Sequence, residues 1–165
     1  MSVVGCDEAD GGVPVLGVVP GHEARHPRAR VLDGAEGTRY FARTDLEHGR
    51  ELWKTDGTCA GTRLVKDIEP GLGSSASRNL TAIGGILFFR AETSGQGYEP
   101  WLSDRTRKGT RPLQEIAPGP QPSEPRAFTL SGWDVFFVAN DGCTGFERWA
   151  LPFRPEKRCR VALEQ

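Results

Sequence analysis

The stretch RELWKTDGTCAGT (50–62) gathers the side chains best equipped for chemistry: two carboxylates, Glu51 and Asp56, an indole at Trp53, and a glycine–hydroxyl turn at Gly57-Thr58. Such a set of groups raises three readings: an active site, a ligand loop or scaffold. A lyase or glycosidase would need a convergent, non-repeated cluster of acids on one face. Two loops offer a second chemistry. RTDLEHG (43–49) carries Asp45, and VANDGCTG (138–145) carries Asn140 and Asp141. Calcium takes six or more oxygens from alternating loop positions. Each loop supplies one or two, and Thr93 stands at the matching place between them, so an Asx turn competes with calcium as the role of these residues. No serine sits in a nucleophile elbow, and no glycine loop of the phosphate-cradling kind is present. The histidines add little. His48 matches Gln96 and Thr144, so its loop accepts any polar group, and His22 and His26 lie in a connection rich in Pro and Arg.

These residues are not singular. Trp53, Trp101 and Trp149 are 48 residues apart, and the same step links Glu51, Glu99 and Glu147. It also links Gly49, Gly97 and Gly145, and Phe41, Phe89 and Phe137. Laying 39–86 on 87–134 without gaps gives 16 identities in 48 positions, Asp56 on Asp104 among them. A fixed step of this length is the signature of a repeat architecture. A catalytic acid is needed once, so an acid present in every unit reads as scaffold.

Within one unit, four short runs rich in Phe, Trp, Ile and Thr alternate with Gly and Pro turns, and no apolar stripe of helical period is sustained. In the second unit they are NLTAI (79–83), ILFFRAE (86–92), YEPWLSD (98–104) and TRPLQEI (110–116). The expectation is an all-β chain of about three four-stranded antiparallel blades in a propeller-like array, forming an incomplete or open ring. Its parts are a tail over 1–12, a leading strand and the first strand of blade 1 over 13–38, and the rest of blade 1 over 39–78. Blade 2 follows over 79–126, and a degenerate blade 3 over 127–165, where ALPFRPEK replaces KTDGTCAG and RCRVALE (158–164) is read as a last strand.

ELWKTDGTCAGTRLVKDIEPG (51–71), followed by NLTAIGGILFF (79–89), resembles the ELWxxDGT-repeat proteins of bacteria, some labelled hyalin-like. The resemblance weakens in the second unit (EPWLSDRTRKGT) and further in the third. It implies a secreted or surface-attached, propeller-like protein, and it brings no enzyme activity. The turn Thr55-Asp56-Gly57-Thr58 is similar in place and composition to the Asp-box turns of sialidase-type propellers, which are structural. Trp53, Trp101 and Trp149 are then read as anchors between sheets. Asp56 and Gly57 hold a hairpin, with Asp104 repeating the acid.

Where the copies differ, individual function is expected. RTRKG replaces the first unit's turn, so Arg105, Arg107 and Lys108, joined by Arg111, form a basic knob that could meet an acidic protein or a polyanionic glycan. The competing reading is a solvated hairpin tip. Over the whole chain 21 basic residues balance 22 acidic ones, which gives no general attraction to nucleic acid or membrane. VVGC (3–6) matches the end of a lipoprotein signal, making Cys6 a lipidation candidate with the acidic spacer DEADGG after it. That would place the protein in the cell envelope or outside the cell if a signal precedes it, and in the cytoplasm as written. Cys59 and Cys143 fall at opposite ends of a blade, too far apart to bridge, and free thiols are expected throughout.

The leading expectation is therefore a non-catalytic scaffold or binding module without a cofactor. The alternatives are a propeller-type carbohydrate-active enzyme and a truncated or decayed repeat protein. Three blades do not close a ring, so a second copy completing one is a further outcome.

Overall fold

The computed structural model describes residues 32–33 and 37–153. Expectations for Cys6, His22, His26, Cys159, the leading strand and the 158–164 strand lie outside them. The described chain is all β and forms three small antiparallel sheets.

The first sheet runs β1 (Leu32–Asp33), β2 (Arg39–Asp45), β3 (Gly49–Thr55), β4 (Arg63–Lys66), in that spatial order. The second repeats the order with β5 (Arg78–Ile83), β6 (Ile86–Thr93), β7 (Gln96–Ser103) and β8 (Arg111–Pro112). The third has β9 (Arg126–Ser131), β10 (Asp134–Asn140) and β11 (Phe146–Pro152). Register repeats as well: Phe41 stands opposite Trp53, Phe89 opposite Trp101, and Phe137 opposite Trp149.

The period-2 alternation of a strand sends neighbouring side chains to opposite faces, and the middle sheet uses both. Leu87, Phe89, Ala91 and Trp101 pack with Tyr40, Leu52, Val65 and Ile68 of the first unit. Phe88 turns the other way and joins Ile83, Ile116, Phe128, Val135, Phe137 and Ala139, with the third sheet supplying the last four. Phe88 and Phe89 are both fully buried, in different cores. Each such side chain contributes about 1.5–3 kcal/mol of burial.

The fourth strand of the second unit is shorter than expected, two residues instead of seven. Pro112 has no N–H to continue the ladder. Beyond it Leu113 N still donates to the Pro100 carbonyl at 2.8 Å, but the N–H groups of Ile116 and Ala117 turn to the Glu99 carboxylate. A side chain thus takes the donors a longer strand would have offered to its neighbour.

Candidate functional site

The motif residues come together twice, in one arrangement. Asp56 Oδ1 accepts from Thr58 N at 2.9 Å and Thr58 Oγ1 at 2.7 Å; Asp104 Oδ1 accepts from Thr106 N and Thr106 Oγ1 at the same distances. Each threonine hydroxyl then accepts from the N–H of Gly61 or Gly109, and Thr62 or Thr110 donates back to its carbonyl. These hydrogen bonds hold both aspartyl groups below the ordinary carboxylate range; for Asp104 they outweigh a desolvation that acts in the opposite sense. A side chain on Gly61 or Gly109 would collide with the aspartate, so these positions have no room for a Cβ.

The turn needs a left-handed residue, and Gly57 supplies it with φ +94°. Arg105 occupies the same place with φ +80°. The resemblance is only partial at this turn, yet its side-chain hydrogen bonds are all kept. The arginine adopts a conformation that costs an L-residue roughly 1–2 kcal/mol.

Glu51 and Glu99 are buried, and their carboxylates hold the loops that lead to the next unit. Glu51 accepts from the N–H groups of Ile68, Glu69 and Ser75 at 2.9–3.2 Å and from Ser75 Oγ at 2.7 Å. Glu99 accepts from Ile116 N at 2.7 Å and Ala117 N at 3.2 Å. Burial pushes both carboxyls up, and these donors pull against it. Every partner is 17 or more residues downstream, so each glutamate ties a strand to a distant loop. Glu147, expected to act alike, is exposed, and its carboxylate makes no hydrogen bond to another described residue. The loop it would hold by the same offset falls outside them.

Trp53 and Trp101 are buried, and Trp101 lies in the core between the first and second sheets. Trp149 is half-buried against the core between the second and third, its Nε1 donating to the Ala139 carbonyl at 3.3 Å. Trp53 lies under the Arg43 guanidinium, 4.6 Å from the ring centroid.

The calcium candidates hold turns. Asp45 Oδ1 accepts from the N–H groups of Glu47 and His48, and the His48 ring bonds the same carboxylate. Asp141 accepts from Cys143 N, Thr144 N and Thr144 Oγ1, and Asn140 from Gly142 N. Among the described residues no three His, Cys, Asp or Glu side chains converge on one point.

Arg107, Lys108 and Arg111 are exposed at the β7–β8 tip, and Arg105 is half-buried beside them. The first sheet adds cations that sequence reasoning missed. Lys54 Nζ donates to the Arg105 carbonyl at 2.7 Å and Lys66 Nζ to the Thr110 carbonyl at 2.8 Å, so two lysines bridge the sheets. Nothing periodic marks a contact across 51 residues. By contrast Ser75/Ser123 and Thr58/Thr106 are identities at the 48-residue step, as Thr62/Thr110 is, and were there to be found.

Cys59 is disulfide-bonded, against the expectation of free thiols, and its partner is not among the described residues; Cys143 is free and exposed. Cys59 lies exposed at the β3–β4 hairpin tip, so its sulfur is open to a partner beyond its own hairpin. No described helix is long and apolar enough to cross a membrane. No protein-family model, curated protein or solved structure matches the chain.

Proposed function

We propose that this protein is a non-catalytic repeat scaffold of the ELWxxDGT type, its three sheets being successive blades of a propeller-like array whose loops meet a partner. The observation that carries this reading is the use made of the motif acids. Glu51, Glu99, Asp56 and Asp104 are each engaged by backbone and hydroxyl donors of their own chain, in networks repeated 48 residues apart. Donors of the fold occupy both oxygens of Glu51 and of Glu99 and the Oδ1 of Asp56 and Asp104, which supports a structural use of these acids.

Replacing Glu51 with Gln turns an NH₂ toward N–H groups that need an acceptor, leaving buried donors unsatisfied. Glu51→Gln is therefore expected to lower stability by about 1–3 kcal/mol, read by denaturant unfolding. The wild type is expected to release no reducing ends from a panel of polysaccharides. Release that disappears in Glu51→Gln without a loss of stability would establish the enzyme reading instead.

A further inference from the structure

The β3–β4 and β7–β8 hairpin tips lie side by side and share a charge. Arg63 stands opposite Lys54 in the β3–β4 ladder and is exposed. Lys54 crosses to the Arg105 carbonyl, bringing Arg63 to the tip that carries Arg107, Lys108 and Arg111. The electrostatics record the same proximity: after burial, Arg63 and Arg105 are the groups that lower the Lys54 pKa. No described ion pair involves Arg63, Arg107, Lys108 or Arg111. Asp56, which interacts electrostatically with Arg63, and Asp104, which interacts with Arg105, accept hydrogen bonds from Thr58 and Thr106 and form no ion pair with these four cations.

We propose that these two tips form one cationic strip that binds an acidic polysaccharide, with Arg63, Arg107, Lys108 and Arg111 as its contact residues. The proposal rests on the scaffold reading and names its partner. A guanidinium fork pairs with carboxylate or sulfate through two parallel hydrogen bonds, and it does so at an exposed surface without a pocket. Other polyanions fit less well. The strip has no exposed aromatic on which bases of a single-stranded nucleic acid could stack. A peptide adding as a strand would meet β4 and β8, which are four and two residues long, with Pro112 interrupting the second. With the chain at net charge −1, attraction arises locally at the strip and not from the whole molecule.

The test measures binding of the full chain to polygalacturonate, to heparin, to poly-glutamate and to single-stranded DNA across a salt series. Wild type is expected to bind one or both polysaccharides more tightly than the other two polymers, polygalacturonate alone indicating carboxylate recognition and heparin alone sulfate. The variant Arg63→Ala/Arg107→Ala/Lys108→Ala/Arg111→Ala is expected to weaken binding about tenfold or more and to flatten its salt dependence, with an unchanged unfolding midpoint. Arg78→Ala/Arg148→Ala, which removes exposed charge elsewhere, is expected to bind as wild type. Absence of polysaccharide binding, equal or tighter binding of poly-glutamate or DNA, or full binding by the quadruple variant overturns the proposal. Cleavage of polygalacturonate by a chain that binds it through these residues would overturn the non-catalytic reading and leave the strip standing.

Discussion

At the scale of single residues, the chain places its carboxylates where hydrogen-bond donors need an acceptor. Asp45 shows this with a titratable partner. His48 donates its backbone N–H at 2.6 Å and meets the carboxylate with Nδ1 at 3.0 Å. The side-chain hydrogen bond with Asp45 raises the histidine pKa above its ordinary 6.5, against a smaller effect of desolvation. A group whose pKa is raised on folding stabilises the fold fully below its unfolded value, and the stabilisation is lost as pH rises through the folded value. The β2–β3 turn should therefore loosen on going from mildly acidic to alkaline pH. An NMR titration of His48 is expected to give a midpoint above 6.5, and in His48→Gln, which places here the residue found at position 96, the pH dependence of turn protection from hydrogen exchange should vanish. An unshifted midpoint would mean that the Asp45 contact is not formed in solution. Recurrence at the 48-residue step made the turn role of Asp56 and Asp104 and the inter-sheet place of Trp101 legible in the sequence, but it did not carry to Glu147, which is exposed. The donors that satisfy Glu51 were hidden, because an acceptor's partners are set by where a loop returns in space.

At the scale of elements, what persists between units is hydrogen-bond geometry, even where residue identity is lost. DRTRKG (104–109) shares little with DGTCAG (56–61) beyond its skeleton, yet both fold into one turn because Asp, Thr and the final Gly are kept. Strand positions in the second unit were readable from alternation and turn residues; the early end of β8 was not, since it depends on Glu99 taking the next donors. Arg105 holds the left-handed position at a cost, and glycine removes that cost while adding about 0.5–1 kcal/mol of backbone entropy loss. Arg105→Gly is expected to stabilise the protein by up to about 1 kcal/mol, measured by chemical unfolding. Destabilisation would show that the arginine side chain contributes more than its backbone strain costs.

At the scale of the whole molecule, the outer faces of the first and third described sheets are unlike. Between the sheets, Tyr40 and Leu52 of the first sheet are covered by the second, and Phe88 and Pro100 at the matching positions of the second are covered in turn. Their counterparts in the third sheet are Phe136, half-buried, and Arg148, exposed. Ile83, buried in the second core, is matched by the exposed Ser131. Phe136, Val138, Ala127, Thr129, Ser131 and Arg148 line a shallow depression of about 390 Å³ on this face. Ser131 and Arg148 are polar where the interior of the array is apolar, as in the capping repeats of solenoids, while Phe146, 49% exposed, and Val138 keep apolar surface on the same face. On the outer face of the first sheet Phe41 and Trp53 are already buried, 4% and 8% exposed, so a second copy would find little apolar surface there to cover. These two faces argue against the two-copy ring as a resting state. The wild type is expected to sediment as a monomer. Ser131→Ile/Arg148→Leu, which restores the interior pattern, should drive concentration-dependent association in analytical ultracentrifugation while leaving the near-UV spectrum of the monomer unchanged. A wild type that already dimerises, and is returned to monomer by Arg148→Glu, would show that the third sheet's open face is an interface.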